Sequence, residues 1–155
     1  MTFKSAVVGI YIASAAEGEM TPVAKVRAVA GQGLEGDRYF LKTGTYSKDP
    51  GTGRHVTLIE VEAFEALKRD YGIELEPARG RRNIATRGVP LNHLVGREFE
   101  VGGTRLRGMR LCEPCSHLES LTRDGVKNGL VHRGGLRADV LAEGTIRVGD
   151  DIHLI

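Results

Sequence analysis

The sequence predicts a mainly β fold: a small β-barrel with one or two short helices. Three observations carry this expectation. Short β-branched segments recur along the chain, 21 glycines punctuate them, and one stretch alone shows sustained helical periodicity. Strands alternating with long helices, the sign of a doubly wound sheet, are absent. The 155 residues make a single domain, 1–155, long enough to bury a real core, and the 41% apolar content fits a globular chain.

The elements follow in order. SAVVGIYIAS is a β-branched run and reads as a strand; one Lys, an apolar stretch and small residues also resemble a secretory signal, but Gly9 and the strand that follows argue against it. PVAKVRAVA reads as a second strand. Gly31 to Gly53 is a loop dense in glycine and polar residues, too long for a simple turn, so it is read as functional or mobile. RHVTLIE is a buried-type strand. VEAFEALKRDYG sets Val61, Phe64, Ala66 and Leu67 at helical spacing with Gly72 as its stop. RRNIATRG and PLNHLVGREFEVGG are short segments broken by glycine, and TRLRGMRLCE is strand-like. A short helix is expected from Pro114, because proline suits a first turn and His117, Leu118 and Leu121 share a side. LRADVLAEGTIRVGDDIHLI forms two strands around a Glu143–Gly144 turn, with a second turn at Gly149–Asp150.

Charge narrows the function classes. The formal net charge is +2, from 22 basic and 20 acidic residues, which argues against bulk nucleic-acid binding. No apolar run reaches the roughly 20 residues that span a bilayer. The charges are nevertheless uneven. Residues 59–76 are mainly acidic, whereas 79–110 hold arginines 79, 81, 82, 87, 97, 105, 107 and 110 against Glu98 and Glu100. Arginine presents a planar fork that suits phosphate and carboxylate. The cluster is either a solvated basic face or a pocket for a small phosphorylated ligand.

Both cysteines fall in LCEPCSHLESL, and two in a domain of this size do not make a disulfide framework, so a reducing cytoplasm is the expected compartment. Four readings of Cys112 and Cys115 stay open. A structural zinc site needs four ligands and the chain offers no second pair. A redox CxxC needs a βαβ setting and a long helix. Both thiols could be inert and buried. Or Cys115, at a helix start behind an arginine-rich stretch, is a single working thiolate, a soft ligand suited to soft or high-valent metals.

Other patterns weigh less. GQGLEG spells a dinucleotide-binding pattern, but no helix follows it to hold a pyrophosphate. VHRGGLRADV sets His132, Arg133 and Arg137 around two glycines, either an anion-holding loop or surface cations before a strand. His55 reads as structural. Ser116 and His117 are neighbours beside Cys115, but adjacent residues on a helix do not face each other as nucleophile and base.

Taken together, GLEGDRYF, HVTLIEVEAFEAL, RRNIATRGVPLNHLVGREFEVGGTRLRG, LCEPC and HRGGLRADVLAEGTIRVGDDI resemble the MOSC domain, the C-terminal domain of molybdenum-cofactor sulfurases, in its small stand-alone bacterial form. The order and spacing of these segments, from about residue 5 to the end, carry the likeness. The resemblance implies a pyruvate-kinase-barrel-type fold and a functional cysteine at Cys115. In relatives that reduce N-hydroxylated compounds, that cysteine ligates the molybdenum of a pterin cofactor. The family's Arg–Asn pair falls on Arg82 and Asn83. Pyridoxal phosphate belongs to a sulfurase domain that the resemblance does not include. The second cysteine, Cys112, departs from some relatives.

These expectations follow. Cys115 is the molybdenum ligand. Arg82, Asn83 and Arg110 hold the phosphate of the molybdenum cofactor or order its pocket. His132, Arg133 and Arg137 border a substrate mouth. The reaction is two-electron reduction of an N–O bond in a small molecule, with an external electron donor or cofactor-delivery protein as partner and neither nucleic acid nor membrane. The alternatives are a non-catalytic carrier of sulfur or cofactor, and a thiol redox protein that uses both cysteines.

Overall fold

The computed structural model describes residues 4–48 and 52–155. The fold is mainly β, with few helices. Strands β1 (Ala6–Ile12), β2 (Thr21–Pro22), β3 (Lys25–Val29), β4 (Gly33–Leu34) and β5 (Val56–Glu60) lead into helix α1 (Val61–Tyr71). Then come β6 (Ile84–Arg87), β7 (Glu98–Val101), β8 (Thr104–Leu111), the short helices α2 (Ser116–Leu121) and α3 (Val126–Gly129), and β9 (Leu136–Ala142), β10 (Gly144–Arg147) and β11 (Ile152–Leu154).

One mixed sheet of eight strands runs β11-β7-β8-β9-β5-β6-β1-β2, and β10-β3-β4 form a second sheet. β5 lies at the middle, parallel to β6 and antiparallel to β9. Its first four residues are all buried, which explains its mostly apolar sequence, and the one polar member, Thr57, is hydrogen-bonded to Asn83. β5, α1 and β6 form a crossover unit, so the chain holds one βαβ connection that its glycine-rich pattern hides.

The expected barrel is not found as a closed ladder among the described residues; the large sheet ends at β11 and β2. Individual hydrogen bonds nevertheless tie the β11 side to β1. Val7 N–H donates to Asp150 C=O at 2.9 Å and Gly149 N–H to Val7 C=O at 2.7 Å. Ser5 Oγ donates to Ile152 C=O at 2.8 Å and accepts from Ile152 N–H at 2.9 Å.

Two apolar cores result. The larger lies inside the sheets, where Ile10, Leu34, Leu58, Ile84, Phe99, Leu106, Leu136 and Ile146 meet. The smaller lies beneath the helices, where Phe64 and Leu67 of α1 meet Leu118, Val126 and Leu130, with Cys115 packed against them. α1 buries Val61, Ala63, Phe64, Ala66 and Leu67, as its spacing predicts. It stops at Gly72, whose φ of 66° is the left-handed conformation that glycine takes without strain. In β8, Leu106 points inward while Arg105 and Arg107 stay exposed near Glu98 and Glu100, so this part of the arginine run is a solvated face.

The loop from Gly31 to Gly53 is anchored within its described part, residues 31–48 and 52–53. Asp37 is fully buried; its Oδ1 accepts from Ala13 N–H at 3.1 Å and from Arg38 Nη1 at 3.0 Å. GQGLEG forms a turn and β4, not a strand-to-helix junction. A Cβ at Gly33 would stand 2.7 Å from His55 C=O, and the φ there is +121°, so close backbone approach explains that glycine. Among the described residues, no helix is long and apolar enough to cross a membrane.

Candidate functional site

The site begins with how α2 starts. Cys115, not Pro114, is its N-cap: the backbone is extended there, and Sγ accepts the Leu118 N–H at 3.5 Å. This half-buried sulfur opens onto a partly open cavity. Cys112, three residues earlier, lines the same cavity but is 1% exposed. Both cysteines are free thiols.

Four arginines line this cavity with Cys115: Arg38, Arg81, Arg82 and Arg137. Arg82 is buried, and two of its donors are engaged. Nε donates to Gly134 C=O at 2.7 Å and Nη2 to Cys112 C=O at 3.1 Å. It therefore fastens the cysteine segment to the loop before β9. Arg38 also is buried; it pairs with Asp37 and donates through Nη2 to Arg81 C=O at 3.3 Å. Arg81 donates to Gly18 C=O, and burial, then the neighbouring Arg38 charge, lowers its pKa. A cavity with this surplus of cations favours an anion.

Tyr39 and Tyr46 complete the lining with His117 and Glu113. The Tyr46 ring lies beneath two guanidinium groups, with Arg54 Cζ 5.4 Å and Arg137 Cζ 5.9 Å from its centroid. Burial raises the Tyr46 pKa most, and the charge of Cys115 beside it adds to the rise. His117, on the first turn of α2, reaches Glu17 at 3.6 Å.

The structure brings together only part of the expected set. Cys115, Arg82 and Arg137 meet at the cavity. Arg110 stands one strand away, opposite Arg137 in the β8–β9 ladder, and donates to Thr52 C=O at 2.6 Å. Asn83 is fully buried behind the cavity. Its Oδ1 accepts from Thr57 N–H at 3.1 Å and Thr57 Oγ1 at 3.2 Å, and its Nδ2 donates to Tyr11 C=O at 3.1 Å. With its amide engaged on β1 and β5, it stitches strands and orders the wall of the pocket. His132 and Arg133 do not border the cavity either. The chain turns at His132, φ 59°, and sends both toward α1. His132 Nδ1 nevertheless lies 2.6 Å from Oε2 of the cavity-lining Glu113, while Arg133 pairs with Asp70 of α1 at 3.6 Å. Arg38, Tyr39 and Tyr46 escaped the sequence reading as site residues, their only signal being the length of the loop that holds them, and Arg81 was marked only as one of the arginine run.

Among the described residues, no group of three His, Cys, Asp or Glu side chains is placed to hold a metal ion. The zinc reading of the cysteine pair therefore finds no ligand set there. One free thiol among arginines has the chemistry to suit a metal complex that brings its own ligands and carries negative charge. The molybdenum cofactor, a metal held by a phosphorylated pterin, fits that description.

Comparison with known proteins bears on the same segments. No curated protein matches significantly. The fold is shared with the crystal structure of the YuaD protein from Bacillus subtilis, at TM-score 0.76 and 20% identity, over 97% of both chains. YiiM from Geobacillus stearothermophilus aligns at TM-score 0.75 and 18% identity, over 97% of this chain and 75% of that one. YiiM from Escherichia coli aligns at 0.66 and 18%, over 100% and 70%. A family model described as the MOSC domain matches residues 45–153, which take in Tyr46, Arg81, Arg82, both cysteines and Arg137. Matched over most of its length by that model, the chain belongs to the MOSC domain family.

Proposed function

We propose that the protein binds the molybdenum cofactor with Cys115 Sγ as its metal ligand and uses it to reduce N-hydroxylated small molecules. The observation that supports this reading is the single half-buried thiol opening onto a cavity lined by four arginines. When bound, the cofactor supplies two-electron redox chemistry at its metal. The protein's own residues supply the rest. Cys115 offers a soft anionic ligand from a helix start, where the Leu118 N–H steadies the sulfur. Arg81 offers donors to a phosphate, Arg38 positions it by holding its backbone carbonyl while paired with Asp37, and Arg82 fixes the cysteine segment by holding two backbone carbonyls. Tyr46 lines the cavity beside the sulfur. Electrons come from an external donor, and the cytoplasm is the compartment in which both thiols stay reduced.

Elemental analysis and pterin fluorescence of protein made in a cofactor-producing host test this reading. Molybdenum approaching one per chain, lost in Cys115→Ala, is the expected outcome. Equal, trace molybdenum in both proteins would overturn it. Cofactor bound through Cys115, with no reduction of hydroxylamines by viologen-reduced protein, would instead identify a carrier of cofactor or sulfur. Thiol redox activity lost in Cys112→Ser, with no cofactor present, would favour the two-cysteine reading.

A further inference from the structure

Three arginines at the edge of the cavity are given no partner by the proposed cofactor site. The β8–β9 ladder places Arg110 opposite Arg137. Gly53 sits against both: a Cβ there would lie 2.9 Å from Arg110 Nη1 and 3.2 Å from Arg137 Cβ. Arg54 follows Gly53 and shares the Tyr46 ring with Arg137. Two guanidinium groups thus share one aromatic ring, and the third lies against the glycine beside them.

Several arginines of the chain, Arg27, Arg69, Arg87, Arg105, Arg107 and Arg133 among them, form a salt bridge. Among the described residues Arg54, Arg110 and Arg137 form none. The nearby carboxylate, Asp139, forms no salt bridge with them: its Oδ1 accepts the Gly53 N–H at 2.7 Å and lies 3.7 Å from His55 Nδ1, and its charge only partly offsets theirs at Arg110. Burial, then the charges of Arg137 and Arg54, lowers the Arg110 pKa, as expected of cations crowded together. Arg54 Nε is buried and has no hydrogen-bond partner. Crowded cations and an orphaned donor share one remedy, an oxyanion that accepts from the guanidinium forks.

We propose that Arg54, Arg110 and Arg137 form an oxyanion seat at the rim of the Cys115 cavity, and that the small-molecule substrate carries a carboxylate or phosphate that docks there. Arg137 and Tyr46 belong to both the seat and the cavity lining, so an anion held at the seat sets the rest of its molecule toward Cys115. The substrate class rests on the proposed reductive function; the seat does not, because it is built from protein alone.

The binding arm uses cofactor-free protein labelled with nitrogen-15 and follows its arginine Nε–Hε resonances by NMR. Inorganic phosphate and benzoate are titrated in separate series against sodium chloride at matched ionic strength. A saturable shift of the Arg54 resonance with either oxyanion, absent with chloride and abolished in Arg110→Gln, is expected, and the stronger series tells phosphate from carboxylate. Shifts no larger than those of exposed Arg105 and Arg107 would overturn the seat. The kinetic arm compares a carboxylated hydroxylamine substrate with its methyl ester. A KM about tenfold lower for the acid, lost in Arg110→Gln, is expected. Equal KM values would overturn the substrate class. Absent turnover with the NMR shift intact would overturn the reductive function and leave the seat standing.

Discussion

Arg82 and Asn83 are neighbours with different work. The arginine reaches the cavity and fastens Cys112 to Gly134, while the asparagine turns inward and joins β1 to β5. Asn83→Ala removes an amide and leaves Thr57 and Tyr11 groups buried without partners. Urea denaturation should show a loss of about 3 kcal/mol, with the cysteine still reactive in the folded protein. Tyr46 gives a second residue-level expectation. The charge of Cys115 is one cause of its raised pKa, so Cys115→Ala should let the phenol ionise at lower pH, read as tyrosinate absorbance in an alkaline titration. An unchanged midpoint would show that the two groups do not interact. Cys115 was legible in sequence because a proline and a helix start mark it. Arg38 was not, because what makes it a site residue is a buried pairing with Asp37 that no local pattern announces.

At the scale of elements, legibility followed the size of the local signal. α1 was readable because five buried positions recur on one face and a glycine stops it. β2 and β4 were not, since each is two residues long and exists through bonds to a neighbouring strand. α3 was missed for a similar reason: four residues give too little periodicity. The loop between α3 and β9 shows how an element sets the site. A Cβ at Gly134 would lie 2.3 Å from Cys112 C=O and 2.9 Å from Pro114 Cδ. Gly134→Ala must therefore push the cysteine segment away. It should cost about 2 kcal/mol in urea and alter the alkylation rate of Cys115. Gly31→Ala, where nothing lies within reach of a Cβ, should leave that rate unchanged.

At the scale of the molecule, the sequence indicated β content and missed how the sheet ends. Closure depends on register between segments far apart in the chain, which alternation along one strand does not encode. Ser5 and Ile152, at opposite ends of the chain, exchange two hydrogen bonds. Ser5→Ala should lower stability by about 1–2 kcal/mol and speed amide exchange at Ile152, measured by denaturation and hydrogen exchange. The cavity is assembled in the same long-range manner: Arg38, Arg81, Cys115 and Arg137 come from four separate stretches and meet only when the whole chain is folded. A compound that bridges them therefore has no counterpart to grip in the denatured chain. Its occupancy should appear directly as a higher melting temperature, with a hundredfold excess over Kd adding about 2.7 kcal/mol. Thermal-shift screening of metabolite libraries thus offers a route to the natural ligand that presupposes no chemistry.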